Sequence, residues 1–364
     1  MAETLNFPWE TLNTIVGGGS AIDVPRLYVK TSDEAESFLE CYGFSWSVDS
    51  HRRELDAVRR EAISYIEEEL LGGQSPMPDE LLDQEDVRQL LLWGSEPPNT
   101  VRQQWVCALL RVMHTISHAD SYLNRRFSRQ IRRQIIDRYK PHLHIDVDKL
   151  TLGRGKGSIP LVRFEVKESK PLRSTITKLL HKVENVAADI FDRVGVRFVT
   201  QDRLDTLLVV QYLRQKNVVM FANIKPSRSR NTLIDINWLR DEIDRLDRGE
   251  EALERSQRVK RLRESLAVRP FPSSNQPFTN RFSSVDYHSI QFTCRQQIRV
   301  RDMLADERQG GEMRFFFPFE VQVLDAESYQ MSRDGLASHE VYKRRQRREV
   351  QRRVMGPLIL TDIA

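Results

Sequence analysis

The chain has 364 residues, 40% of them hydrophobic and 30% charged, with a formal net charge of +4. That length calls for two domains or one large one, and the hydrophobic share is enough for a real core. A charge this small and this mixed in sign excludes a globally polyanion-binding protein, so local basic stretches carry more information than the total.

The N-terminus carries Glu3 and lacks the basic and apolar segments of a secretory signal, and no run approaches the roughly 20 apolar residues that span a bilayer. A cytoplasmic protein with no membrane association is expected. Cys41, Cys107 and Cys294 are widely scattered, without CxxC or Cys/His metal spacing, which fits unpaired thiols in a reducing interior.

Residues 1–150 form a helical N-terminal region by pattern. Ser50 caps a helix from His51 towards Leu71, ended by Gly72-Gly73. A loop with Pro76 and Pro78 follows, then a helical apolar stripe over Gln84–Trp93. Thr100 caps another helix carrying Val101, Trp105, Leu109 and Val112 on one side. His114, His118 and Asp120 are helically spaced on it and are expected to form the polar edge of a packed helix. The stretch 125–140 sets seven Arg and Lys residues against one acid, Asp137.

The pattern changes near residue 150. Gly153–Ser158 is a flexible basic loop without the GxxxxGK[ST] order of a P-loop. Strands are expected at about 159–166, 194–200, 217–222, 285–293 and 314–323, with helices at about 172–191, 203–216 and 326–353. This is an α+β domain over 151–364, built on a mixed sheet flanked by helices. It is interrupted at about 235–280 by a charged insertion, expected as an exposed helical hairpin rather than core.

Several segments carry chemistry. Lys170, Ser174 and Lys178 fall on one helix face, as a polyphosphate site or a solvated basic face would require. Asp192 precedes Gly195, a glycine that permits close approach at a strand terminus, where Mg²⁺ can take one or two carboxylates plus substrate phosphates. Tyr287, Ser289 and Gln291 share a strand face able to stack a base and hydrogen-bond it. Glu320 and Gln322 alternate with Phe319, Val321 and Val323, placing two polar groups on one face and a core on the other.

The order Lys-x3-Ser-x3-Lys, Asp-x2-Gly-x-Arg, Tyr-x-Ser-Ile, Glu-Val-Gln-Val, then Gly-Leu-Ala-Ser-His-x2-Tyr-Lys resembles the RelA/SpoT-type (p)ppGpp synthetase domain, over about residues 155–345. The resemblance implies a nucleotidyltransferase-like sheet. It also implies Mg²⁺-dependent transfer of pyrophosphate from ATP to the ribose 3′-hydroxyl of a purine nucleotide, the chemistry of the stringent response. Residue by residue it implies Asp192 and Glu320 as catalytic, metal-holding carboxylates. Lys170, Ser174, Lys178, Arg197, His339 and Lys343 are implied around the ATP phosphates, and Tyr342 matches the family's last helix. Tyr287, Ser289, Gln291 and Gln322 are implied around the acceptor. The chain departs from the family at Glu168, where an arginine is usual and for which Lys167 or Arg173 is the nearest substitute, at Gln291 in place of histidine, and at Leu324 in place of arginine. Two alternatives stay open. One is transfer to an RNA or tRNA end held by the basic stretches 125–140 and 344–353; the other is a nucleotide-sensing or partner-binding module without turnover. The N-terminal region lacks the adjacent His-Asp pair of the family's hydrolase domain.

Overall fold

The computed structural model describes residues 16–73, 77–98, 100–119, 122–147, 149–167, 171–181, 194–248, 254–272, 287–301, 312–333, 339–356 and 358. The chain divides into two compact units, one of residues 1–122, 170–189 and 343–364, the other of 123–169 and 190–342. The division expected near residue 150 passes through a β-hairpin of the second unit.

The first unit is helical, with helices numbered in chain order through the whole protein: α1 Ser32–Glu40, α2 Asp49–Tyr65, α3 Asp79–Leu82, α4 Val87–Trp93, α5 Val101–Ala119, α7 Leu172–Leu180 and α12 His339–Met355, the last belonging to this unit from residue 343. Thr100 caps α5 as expected, its hydroxyl accepting from the Gln103 N–H at 3.1 Å. Trp105, Val106, Leu109, Val112, Met113 and Ile116 then bury one side of α5, against which α2 and α7 pack. The helix α2 runs on through a π-turn, Ile66–Leu70, and stops where Gly72 and Gly73 take φ of 61° and 77°. Those left-handed angles favour glycine, and the Gly73 N–H closes the end on the Glu67 carbonyl at 3.0 Å.

The second unit is a mixed sheet with helices α6 Tyr122–Asp137, assigned to it from residue 123, α8 Arg203–Gln215, α9 Ile236–Arg248, α10 Arg255–Val268 and α11 Ala326–Arg333. Seven strands, β1 Leu143–Asp146, β2 Lys149–Leu152, β3 Ile159–Lys167, β4 Gly195–Thr200, β5 Arg230–Asn231, β6 Ile290–Arg301 and β7 Glu312–Asp325, lie in the order β1-β2-β3-β4-β7-β6-β5. Only β4 and β7 pair in parallel; the other neighbours are antiparallel. The α+β class and mixed sheet expected from sequence are what the chain forms.

Alternation decides what each sheet face meets. Val196, Phe198, Phe319, Val321 and Val323 point to one side and are buried. Against them α6 sets Phe127, Ile131 and Ile135 at i, i+4 and i+8, followed by Tyr139, while α8 adds Val209 and Leu213. Burying each such side chain contributes roughly 1.5–3 kcal/mol. Tyr139 is fully buried and its hydroxyl has no hydrogen-bond partner among the described residues; burial pushes the phenol pKa well above its usual range. An unmade buried hydrogen bond costs about 1–3 kcal/mol. Tyr139→Phe is therefore expected to raise the urea midpoint, and a lowered midpoint would show that the hydroxyl has a stabilising partner.

Two expectations are corrected. Residues 217–222 do not form a strand. Asn217 takes φ 51°, and the N–H groups of Val218 and Val219 turn back onto the Leu213 carbonyl at 3.0 and 3.2 Å. They close the C-terminus of α8, and a short 3-10 turn, Phe221–Asn223, follows. The charged insertion is not wholly exposed: Leu239 of α9 and Leu262 and Leu266 of α10 bury with Leu204, Leu233 and Ile234 in a small second core. Sparse leucines among charges conceal that apolar side. The helix expected over 326–353 is described as α11 and α12, with 334–338 outside the described residues.

The outer backbone of β6 is also occupied. The Gln134 side chain of α6 donates to the Arg299 carbonyl at 2.7 Å and accepts from the Arg299 N–H at 3.1 Å. Among the described residues, no helix is long and apolar enough to cross a membrane.

Candidate functional site

The polar face of the sheet collects the site. Two adjacent rows of directly opposed residues cross it. One runs Lys167, Gly195, Glu320, Thr293 over β3, β4, β7 and β6; the next runs Glu165, Arg197, Gln322, Gln291 and reaches Arg230 on β5. The i, i+2 period puts all of them on one side.

Glu320 is 6% exposed and sits at the centre. Its carboxylate takes three donors: the Lys167 ammonium and the Gln322 amide on Oε2, the latter at 3.0 Å, and the Gln291 amide on Oε1. Burying a carboxylate this deeply is costly without such partners. Gly195 lies between Lys167 and Glu320, and a Cβ there would sit 2.8 Å from the Lys167 Cδ. The absent side chain is what lets the lysine cross β4 to its partner.

The second row continues the network. Arg197 donates to Gln322 Oε1 through Nε and an Nη, each at 3.1 Å, and to Glu165 at 3.1 Å. Gln322 passes a bond to Gln291 at 3.2 Å. From α11, the Tyr329 hydroxyl donates to Glu165 at 2.6 Å, and the Arg197 guanidinium lies 5.8 Å from its ring. Burial works to raise the Glu165 pKa, but the Tyr329 hydroxyl, Arg197 and Arg163 outweigh it and hold the carboxyl below its usual range. At the far end Arg230 is half-buried and its guanidinium makes no ion pair among the described residues. Burial, opposed by nearby Tyr287, lowers its pKa.

Of the residues expected from sequence, the fold thus joins Arg197, Gln291, Glu320 and Gln322 in one hydrogen-bonded set. Tyr287 and Ser289 precede β6; Tyr287 is half-buried, and the buried Ser289 hydroxyl has no hydrogen-bond partner among the described residues. Thr232 fixes this segment, its hydroxyl donating to the Tyr287 carbonyl at 3.2 Å and accepting from the Ser289 N–H at 3.1 Å. Ser174 and Lys178 are half-buried on α7 of the helical unit, and Lys343 is exposed on α12. His339 opens α12 and Tyr342 lies within it, their side chains outside the described residues. Lys170, Asp192 and Glu168 also lie outside the described residues. Arg173, a candidate substitute for the missing arginine, is engaged within the helical unit by Glu61, Glu68 and Ser64. Lys167, the other candidate, is the one on the sheet. Leu324 is fully buried.

Glu165, Arg230 and Tyr329 were not anticipated. A signal existed for Glu165, since Arg163, Glu165 and Lys167 alternate along β3. None marks Tyr329, whose place depends on how α11 returns over the sheet.

Among the described residues, no group of three or more His, Cys, Asp or Glu is arranged to hold a metal. Mg²⁺ is often held by one or two protein carboxylates plus substrate phosphates. Glu320 is a carboxylate at the centre of the polar face, and the Lys167 ammonium and the Gln291 and Gln322 amides already donate to it.

The His114–His118 pair in the helical unit behaves as a packed polar edge. The rings are 4.5 Å apart, and His114 Nδ1 shares a 2.7 Å hydrogen bond with Tyr42. Burial, then His118, lowers the His114 pKa to about 4, against about 6.5 unfolded. The unfolded chain binds a proton that the fold refuses between those values. The stabilisation is therefore complete above about pH 6.5 and is lost as pH falls towards 4, on the order of 3 kcal/mol in all. His114→Gln should flatten the urea-midpoint profile between pH 6.5 and 5; an unchanged slope would remove His114 as its cause.

No protein-family model and no curated protein matches the chain. Among solved structures it is similar to the small alarmone synthetase 1 from Bacillus subtilis, at 12% identity over 56% of this chain and 78% of that one, with a TM-score of 0.24. The likeness is distant and partial, with too little shared backbone to transfer a residue or an activity.

Proposed function

We propose that the sheet unit transfers pyrophosphate from ATP to the ribose 3′-hydroxyl of a purine nucleotide. The observation that carries the reading is Glu320, a buried carboxylate in the middle of one polar row, with Lys167 upon it and Arg197 in the next row. The ordered motifs of the sequence support it.

In this reading Glu320 takes the proton of the acceptor 3′-hydroxyl. The freed oxygen attacks the β-phosphorus of ATP; the O3′–P bond forms, the bridge between the α- and β-phosphates breaks, and AMP leaves. General-base help of this kind contributes about 10²–10⁴-fold. Lys167 and Arg197 supply fixed positive charge where phosphoryl oxygens gain negative charge, the dominant protein contribution in phosphoryl chemistry. Within the sheet unit, Arg197 and His339 bind the triphosphate. Tyr287 stacks the acceptor base, and Gln291, Gln322 and Ser289 hydrogen-bond the acceptor. Glu320 with Asp192 would hold Mg²⁺, which when bound neutralises phosphate charge.

Incubating the protein with labelled ATP, Mg²⁺ and a panel of GDP, GTP, ADP, ATP and tRNA tests this directly. Label on a mononucleotide, with AMP released in equal amount, is the expected result. Label on tRNA alone would replace the acceptor, and no transfer to any of them would overturn the reading.

A further inference from the structure

Beyond the catalytic rows, β6 and β7 continue as a two-stranded ribbon. β4 pairs with β7 only over residues 320–325, and β5 with β6 only at residues 290–291, whereas β6 and β7 stay paired from Ile290↔Val323 out to Arg301↔Glu312. One face of this ribbon is buried, with Ile298, Val300 and Phe317 in the core beneath and Gln296 donating to the Gln134 carbonyl at 3.0 Å. The other face alternates outward without a break. Arg295, Arg299, Arg301, Arg314 and Phe316 are all exposed on it, Phe316 by 52%.

Three features set this face apart from an ordinary solvated one. Arg299 stands directly opposite Arg314, and like charges so placed destabilise a sheet. Glu312 is the acid that serves both, 2.8 Å from Arg314 and 3.6 Å from Arg299; Arg295 and Arg301 make no ion pair among the described residues. A large aromatic ring is held in water between these charges. Charges that merely protect a sheet edge from association require neither the facing arginines nor the exposed phenylalanine. Finally, residues two apart on a strand emerge about 6.8 Å from each other, a spacing comparable with that of phosphates along an extended single strand.

We propose that this face binds a single-stranded polynucleotide, its arginines on successive phosphates and Phe316 stacked on an unpaired base. A basic track interleaved with an aromatic platform is the combination that single strands require, because a duplex offers no free base face. The exposed residues share the strand parity of Glu320 and Gln291, so the track continues the polar face of the sheet. The proposal does not depend on the pyrophosphate-transfer reading, and its test omits ATP.

The test is fluorescence anisotropy of the full chain with a short labelled single-stranded RNA, the same sequence as DNA, and a hairpin duplex, across a salt series. Four phosphate contacts predict a slope of log K against log salt near −2.8 for a single strand, from about −0.7 per contact. Arg299→Ala/Arg314→Ala should reduce the slope by about 1.4, while the matching double lysine variant keeps it. Phe316→Ala should weaken binding by about five- to a hundredfold with the slope unchanged. Circular dichroism confirms that each variant is folded. Binding of RNA or DNA single strands in this pattern supports the proposal, either sugar being compatible with the same contacts. An unaltered slope in the folded double alanine variant, duplex bound as tightly as single strand, or an inert Phe316→Ala would overturn it. So would loss of binding on Arg344→Ala/Arg348→Ala with the ribbon variants silent.

Discussion

Glu320→Gln is expected to lower pyrophosphate transfer by at least about 100-fold, the low end for loss of a general base, while the sheet stays folded. The substitution keeps the shape of the side chain and removes its charge. It also sets an amide NH2 where Lys167, Gln291 and Gln322 already present donors, so one donor must turn away. Lys167 retains some solvent exposure, which gives its ammonium a route to water and limits the cost to folding. Turnover with each acceptor, beside circular dichroism of the same preparation, decides the matter. A folded Glu320→Gln protein working at the wild-type rate would remove this carboxylate from the chemistry.

Phe198→Ala carries the largest expected effect on stability, about 3–5 kcal/mol, a large share of the 5–15 kcal/mol that typically holds a protein together. Phe198 is fully buried on β4, with the rings of Phe164 and Tyr139 at 5.0 and 5.9 Å. Those neighbours come from β3 and from the chain after α6, so the cavity would open where three segments meet and no one of them can close it alone. Urea unfolding gives the loss directly. A cost below about 1 kcal/mol would show that the site relaxes as few packed cores do.

How far the sequence foretells this depends on whether a signal is local. Strict alternation around Glu320 marks β7 and assigns its two faces, and Thr100 with the stripe behind it marks α5. The valines at 218 and 219 mislead because burial alone resembles a strand; their N–H groups are consumed by a helix end, a partner no window of sequence displays. The ribbon was legible in principle, since Arg295 to Arg301 alternates with Gln296, Ile298 and Val300, but an apolar run of two residues is easily lost among arginines. At the site, Glu320, Gln322 and Arg197 are recoverable from motif order. That Lys167 occupies the carboxylate depends on β3 pairing with β4 in the register that sets it beside Gly195, a long-range fact. The tie between Tyr329 and Glu165 is equally non-local, spanning 164 residues.

The amide of Gln134 acts on β6 as a one-residue strand. By using both the N–H and the carbonyl of Arg299, it denies an incoming chain the pair of groups from which edge-to-edge growth begins. Nearer β5 the same edge is met by backbone, the Lys225 N–H on the Thr293 carbonyl at 2.9 Å; at Arg299 one side chain closes it, and one substitution reopens it. Leucine at position 134 would preserve the bulk of the helix and leave a free backbone pair on the ribbon, a place where an incoming strand could add. At that position the protection of the strand edge resides in a helix rather than in the sheet itself.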